Sequence, residues 1–324
     1  MPAEWAPHAA TYMEWPTRLD LWGDLFQDAK AGYAEVANAI AAFEPVVMVA
    51  NPEQVDEARG YLTGNVEILP IPIDDSWMRD NGPIFVTDGR GGVALVHFRF
   101  NSWGEKYLPY DRDAQVPRHV AEHLGMRRYE APMVLEGGSF FVDGEGTLLT
   151  TEQCLLHPNR NPQMTREQIE RTLRDYVGVD AIVWLGRGHH LDRDTDGHID
   201  GIAQFVRPGV VVLHLPADPQ DPDHESGQDN LRRLGEARDA RGRAFEVIAF
   251  EPGASVAAGL NLYLCNGAAI VPTDGTQADE PVLAQIRSAF SEREIVPVPG
   301  RTLLEGGGGP HCITQQLPVG VPIP

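Results

Sequence analysis

Cysteine is scarce in this sequence, with three residues in 324. Cys154, Cys265 and Cys312 lie far apart, are odd in number and form no CxxC pair. That argues against a disulfide scaffold and for a reducing compartment. Long apolar runs are missing too, since no stretch approaches the roughly 18 residues needed to cross a bilayer. The start, Met1-Pro-Ala-Glu-Trp, lacks a basic segment followed by an apolar one, so no secretory signal and a cytoplasmic location are expected. Cations are few: 26 Lys and Arg face 47 Asp and Glu, a formal net charge of -21. Such a balance argues against nucleic acid and anionic membranes as partners. It suits a small cationic substrate, and it equally suits plain solubility, so charge alone selects no function. No linker or low-complexity block interrupts the chain. The nearest approach is the Pro/Asp-rich stretch from Ala217 to Asp229, which reads as a surface loop. One domain over residues 1–324 is therefore expected, with homo-oligomerisation left open.

What is present is a regular alternation. Apolar runs of strand length fall at Val46–Val49, Val66–Ile73, Pro83–Val86, Val93–Phe98, Ser139–Val142, Thr147–Thr151 and Ala181–Leu185. They continue at Ile202–Val206, Val210–Leu215, Ala244–Phe250, Asn261–Leu264, Ala268–Val271 and Glu294–Val298. Between them, Phe26–Phe43, Pro52–Leu62, Gln115–Leu124, Arg166–Tyr176, Gln228–Ala240 and Glu280–Phe290 carry apolar residues at helical spacing. Helix, strand and hairpin recur about five times, or roughly 65 residues per module. A faint echo, Leu135-Glu-Gly-Gly-Ser and Leu304-Glu-Gly-Gly-Gly, fits a pseudo-symmetric closed array.

Four segments crowd reactive residue types beside glycine: Asp74–Pro83, Leu135–Gly138, Asp192–Gly201 and Leu304–Thr314. In the last, glycines 306–309 free the backbone for close approach or positive φ, just ahead of Cys312. A thiol on such a turn suits a nucleophile approached from one side. Cys154 and Cys265 sit in apolar surroundings and read as small hydrophobes in strands. His198 and Asp200, two apart, share a face of an extended segment and could together move a proton and hold a cation. They could equally be a solvated loop pair, or ligate zinc with His189, His190 or Asp192. Asp80, next to Trp77, could grip a planar cation by parallel N–H bonds with aromatic stacking, or merely fix a turn. Glu136 reads either as a turn residue or as the buried orienter of a histidine.

Taken in order, the motifs Met1-Pro-Ala-Glu-Trp, Trp77-Met-Arg-Asp-Asn-Gly-Pro, Leu135-Glu-Gly-Gly-Ser, Asn159-Arg-Asn-Pro, Thr195-Asp-Gly-His-Ile-Asp and His311-Cys-Ile-Thr-Gln-Gln resemble the agmatine deiminases. More broadly they resemble the porphyromonas-type peptidyl-arginine deiminase family of the pentein superfamily, over nearly the whole chain. The resemblance implies a five-bladed α/β propeller of ββαβ modules around a central site. It implies Cys312 as nucleophile, His198 as general acid/base and Glu136 as its partner. Asp80 and Asp200 would be guanidinium-gripping carboxylates, and Trp77, Asp194 and Gly309 substrate contacts. No metal or organic cofactor is implied. The implied reaction turns agmatine into N-carbamoylputrescine and ammonia, a step toward putrescine and polyamines. Arginine, a C-terminal peptidyl-arginine or another guanidino compound are alternative substrates. Amidine transfer to an amine is an alternative reaction, and a non-catalytic pentein binding protein is an alternative of another class.

At the far end of the substrate an ammonium would need acceptors such as Asp192, Asp194 or Asp196, whereas a carboxylate would need cations such as Arg99 or Lys106. Gly201, Gln204, Gly309 and Pro310 depart from the pattern of the agmatine enzymes and, with a short 101–107 segment, are expected to reshape the walls at that end. Carboxylates around Cys312 should keep its thiol protonated in the empty site unless His198 is cationic.

Overall fold

The computed structural model describes residues 1–257 and 259–324. Its strands run β1 (His8–Glu14), β2 (Val46–Ala50), β3 (Val66–Pro70), β4 (Ile84–Thr87), β5 (Gly92–Arg99), β6 (Arg128–Val134), β7 (Phe140–Val142) and β8 (Thr147–Thr151). They continue with β9 (Ala181–Leu185), β10 (Ala203–Arg207), β11 (Val210–His214), β12 (Glu246–Phe250), β13 (Tyr263–Cys265), β14 (Ala268–Thr273), β15 (Glu294–Pro299) and β16 (Thr314–Pro318). Among the described residues these form five sheets. Four follow one rule. An antiparallel pair is followed by a helix and then a parallel strand: β4-β5 then β6, β7-β8 then β9, β10-β11 then β12, β13-β14 then β15. The crossover helices are Val116–Leu124, Arg166–Val177, His224–Glu236 and Glu280–Ala289. A parallel neighbour requires such a crossover, which sets the length of each module.

The fifth sheet closes the ring from both ends of the chain. β16 lies antiparallel to β1, β1 is parallel to β2 across the helix Phe26–Ile40, and β3 extends the edge. The fold is thus the five-bladed α/β propeller of ββαβ modules that the resemblance implied. Its closure rests on a strand pair joining residues some 300 apart. First strands of neighbouring blades abut, β7 against β10 and β4 against β16.

Local chemistry explains the helices. The Arg166–Val177 helix starts on a Thr165–Gln168 capping box and stops at Gly178, whose φ of 75° suits glycine. The Phe26–Ile40 helix buries Ala29, Tyr33, Val36, Ala37 and Ile40, a helical stripe that packs beneath β1 and β2 with Met13, Val46 and Met48. Some expected boundaries move. The Pro52–Leu62 segment is helical from Pro52 as expected, a 3-10 turn running into the Val55–Arg59 helix, but stops short of Leu62. The helix expected from Gln228 begins at His224, inside the stretch expected to be loop. Asn261 lies before β13 rather than in it. Four strands escaped expectation: β1, β6, β16 and the two-residue strand Val321–Pro322 beside β5. Each carries polar residues or proline where an apolar run was sought, yet β1 and β16 are almost wholly buried. No helix among the described residues is long and apolar enough to cross a membrane.

Candidate active site

Each blade delivers one segment to the hub just before its first strand. Asp80 precedes β4, Glu136 and Gly138 precede β7, His198 and Asp200 precede β10, Asn261 precedes β13, and Cys312 precedes β16. The echo of Leu-Glu-Gly-Gly at 135 and 304 has no structural counterpart: Leu135 and Glu136 are buried just before β7, whereas Leu304 and Glu305 are exposed at the end of the Arg301–Glu305 helix. The expected catalytic set converges, and all five side chains are buried.

The convergence can be read at one glycine. A Cβ on Gly138 would fall 2.6 Å from His198 Nδ1, 2.8 Å from Asp80 Oδ1 and 3.0 Å from Asp200 Oδ2. Glycine is obligatory there because the imidazole and both carboxylates crowd that point. The Gly138 amide donates to Asp80 Oδ1 at 2.9 Å, and the Trp103 indole donates to Asp80 Oδ2 at 2.9 Å. Ser102, Trp103 and Glu105 hold positive φ. That strained run aims the indole at Asp80 and sends the Trp103 carbonyl to Arg160 at 3.1 Å.

Cys312 Sγ lies 3.4 Å from Asp200 Oδ2 and 3.2 Å from Asn261 Nδ2. The glycine run before it works mostly by close approach. Only Gly307 has positive φ, at +101°. A Cβ on Gly308 would strike Trp77 and Cys312, one on Gly306 would strike Trp22, and one on Gly309 would strike Asn261. Gly309 stands behind the thiol, its backbone N–H directed at Cys312. Burial, then Asp200 and Asp80, push the Cys312 thiol well above its ordinary value. The thiol is held up even though His198 is itself shifted toward its charged form, the condition under which the sequence reading would have let it ionise.

His198 has no hydrogen-bond partner on either ring nitrogen. Nδ1 stands 3.9 Å from Asp80 Oδ1, and Nε2 stands 3.8 Å from Glu136 Oε2. Burial opposes its positive charge, but Asp80, Cys154 and Glu136 outweigh it and hold the pKa well above the usual imidazole value. Burial lifts Asp80, only partly offset by His198. Burial also opposes ionisation of Glu136 and Asp200. Arg160 and His198 overcome it for Glu136, and His311 and His198 for Asp200, so both stay below the usual carboxylate range.

His198 and Asp200 do face the same point beside Gly138, as their two-residue spacing suggested, but Asp200 has a second histidine partner that the sequence did not reveal. Asp200 is hydrogen-bonded to His311 Nδ1 at 2.9 Å, not to His198, and His311 Nε2 reaches Glu4 Oε2 at 2.9 Å. Glu4 also accepts from the Leu264 amide and approaches Arg79 at 3.5 Å. Arg79 donates to the His311 carbonyl and to Gln315 and Gln316. Arg160, whose motif had been noted without a role, donates to Glu136 Oε1 at 2.6 Å and to Asp196 Oδ2 at 2.7 Å. Cys154 is buried, but on the one-turn helix Glu152–Leu155 rather than in a strand, and its thiol clusters with Glu136 and His198. Asn261 carried no signal beyond its place in the ring.

A narrow cavity leads down to Cys312. It encloses about 360 Å³ of empty space, open solvent at the mouth included, and Trp77, Trp103 and Tyr107 form its aromatic walls. The charged side chains lining it are Asp75, Asp80 and Asp194. Asp194 accepts from the Tyr107 hydroxyl. Asp75, pushed up to about 7 by burial, was missed by sequence reasoning. Of the other acids considered, Asp192 caps the turn at Thr195, Gly197 and His198. Asp196 binds Lys106 at 2.8 Å as well as Arg160. Lys106 further donates to the carbonyls of Arg193 and Asp194, and Arg99 faces a different cavity. Gly201, Gln204 and Pro310 do not line this cavity, so they do not form its walls as expected. Gln204 instead donates to Glu4 at 3.3 Å.

A thiol, an imidazole and paired carboxylates at the hub of a five-bladed α/β propeller is the arrangement of a guanidine-modifying pentein. The particular family follows from direct comparison. Residues 1–318 match the Porphyromonas-type peptidyl-arginine deiminase family, and the chain belongs to it. It is 43% identical to the agmatine deiminase of Pseudomonas aeruginosa (strain UCBPP-PA14), over 98% of this chain and 95% of that protein. Among solved structures it is similar to the agmatine deiminase of Enterococcus faecalis, with a TM-score of 0.94 and 34% identity over 98% of this chain and 95% of that one. It is also similar to a cysteine-to-serine variant of the C. jejuni agmatine deiminase with substrate bound, with a TM-score of 0.88 and 25% identity over 99% and 96% of the two chains.

Proposed function

We propose that the protein is a hydrolase of linear amidines that converts agmatine to N-carbamoylputrescine and ammonia through a covalent intermediate on Cys312. The observation that carries the choice of substrate is the cavity lining. Three carboxylates and, among the described residues, no Lys or Arg line the path to the thiol. A dication such as agmatine matches that lining at both ends, whereas the carboxylate of arginine would meet Asp194. The two cations that could have served a carboxylate, Arg99 and Lys106, are turned elsewhere.

Asp80 and Asp200 hold the planar guanidinium over Cys312, which supplies proximity. The bound cation offsets the carboxylates that keep the thiol neutral, and the thiol proton leaves to solvent. The thiolate adds to the guanidinium carbon. His198, protonated in the resting site, gives its proton to the departing NH3, leaving an S-alkylthiouronium. His198, now neutral, takes a proton from water as the oxygen adds; collapse then expels the thiolate, and the remaining hydroxyl proton is lost to leave the neutral ureido product while the thiolate is reprotonated to its resting state. Glu136, fixed by Arg160, keeps His198 basic enough for both transfers. We read residues 1–324 as one catalytic unit, because every blade contributes to the hub. The three free cysteines suit a reducing, cytoplasmic setting.

The test is ammonia and ureido-product release from agmatine, arginine and a C-terminal-arginine peptide, with wild type and Cys312→Ala. Turnover of agmatine alone, abolished in the variant, is expected. Preferred turnover of arginine or the peptide would overturn the substrate assignment, and an amidinated amine in place of a ureido compound would overturn hydrolysis.

A further inference from the structure

We propose that His189, His190, His214 and Asp223 form a divalent-metal site of the zinc type, which clamps the loop carrying the active-site histidine. From sequence, His189 and His190 were possible ligands alongside His198 and Asp200. In the structure they turn away from that pair and converge on Asp223, the residue before the His224–Glu236 helix, and on His214 at the end of β11. Asp223 Oδ2 lies 2.7 Å from His190 Nδ1, 3.2 Å from His189 Nε2 and 3.5 Å from His214 Nε2.

Tetrahedral zinc with nitrogen and oxygen ligands at about 2.0–2.1 Å puts its ligand atoms roughly 3.3 Å apart. The distances from the carboxylate oxygen bracket that value, and the ligand atoms of His189, His190 and Asp223 all lie within 4.8 Å of one another, with His214 at the edge of that trio. The His189 ring lies against both others, with centroids 4.8 Å from His190 and 5.3 Å from His214. The second, independent sign is His214 itself. Its side chain is 9% exposed, and Nε2, aimed into the cluster, makes no hydrogen bond. A buried ring nitrogen that makes no hydrogen bond, with the Asp223 carboxylate 3.5 Å away, is costly unless something occupies the space between them. The outer shell is also built. Asp223 Oδ1 accepts the His190 amide at 2.8 Å, which orients the carboxylate. Metal on His189 Nε2 would move its proton to Nδ1, which now accepts the Leu191 amide at 3.1 Å. Leu191 is 63% exposed, so that turn can give.

The consequence concerns the active site without entering its chemistry. Residues 186–202 link β9 to β10 and carry Asp194, His198 and Asp200. A metal tying His189 and His190 to β11 and to the start of a helix would anchor the entry to that loop.

The probe is Co²⁺ titrated into metal-free Cys312→Ala protein, which removes the active-site thiol as a ligand. One equivalent is expected to give the intense visible d–d absorption of a tetrahedral site without a thiolate-to-cobalt charge-transfer band, and Zn²⁺ should displace it. His190→Ala and His214→Gln should each weaken binding at least tenfold. Made in the wild-type background, they should retain ammonia release under metal-free conditions, which also reports folding. Absence of the d–d bands, a charge-transfer band placing cobalt on a cysteine, or binding unchanged in both variants would overturn the proposal. If either variant fails to fold, the spectrum of the Cys312→Ala protein alone decides between nitrogen/oxygen and sulfur ligation.

Discussion

Replacing Asp194 by Asn tests the reading of the cavity at a single charge. The side chain keeps its size and can still accept from Tyr107, so the change removes charge and little else. For an ammonium about 5 Å away, the Coulomb interaction is roughly 1–3 kcal/mol between bulk water and a protein-surface dielectric. Asp194 is only half-buried, so screening brings the expectation to about 1–2 kcal/mol. That is roughly a 5- to 30-fold loss in kcat/KM. It should appear as a raised KM with kcat nearly unchanged, because the far end of the substrate is bound alike in ground and transition states. The assay is ammonia release from agmatine and from pentylguanidine, which replaces the ammonium with a methyl group. The loss should be confined to agmatine and shrink at high salt. An equal loss on both substrates, or a fall in kcat alone, would refute the assignment of Asp194 to the ammonium.

Other perturbations test the supporting structure. Trp103→Phe removes the indole N–H that favours ionised Asp80, whose pKa burial already raises. The acid limb of kcat/KM should move to higher pH, as read from a pH–rate profile. Arg160→Met strips Glu136 of its buried partner, and the uncompensated charge should cost about 3–5 kcal/mol in urea unfolding. The hub also dictates a stability window. Glu4, Glu136 and Asp200 have folded pKa values below their ordinary values of 4.5, 4.5 and 3.8, so their contribution is complete above those values and is lost as pH falls through the depressed ones. His198 and His311 have values raised above 6.5, so theirs is complete below 6.5 and is lost as pH rises through the raised ones. Melting temperature should therefore decline on both sides of mildly acidic pH. His311→Asn should flatten the alkaline decline and lower the plateau.

The parts legible in the sequence share a cause. Asp80, Glu136, His198, Asp200 and Cys312 stand beside glycines because the hub is too crowded for side chains at positions such as Gly138 and Gly308, and that crowding leaves a pattern. The hairpins and crossover helices were legible because their apolar periodicity follows the blade faces. What escaped lacks either mark. β16, Thr314–Pro318, is polar and proline-bounded, yet buried, because Gln315 and Gln316 serve Arg79. Asn261 touches Cys312 from an otherwise apolar segment. Glu4 reaches His311 from the opposite end of the chain, a contact that exists only because β1 and β16 close the ring. Cys154 was read from its apolar neighbours, and only the fold brings it to His198.

That second thiol makes the decisive measurement a matter of position. Wild-type protein mixed with agmatine should be acid-quenched within the first turnovers, digested and mapped by mass spectrometry. The expected result is a covalent increment equal to agmatine less ammonia on the peptide containing Cys312, formed and lost at rates consistent with turnover and absent from Cys312→Ser. An increment on the Cys154 peptide, or ammonia release from Cys312→Ser at the wild-type rate, would contradict Cys312 as the nucleophile.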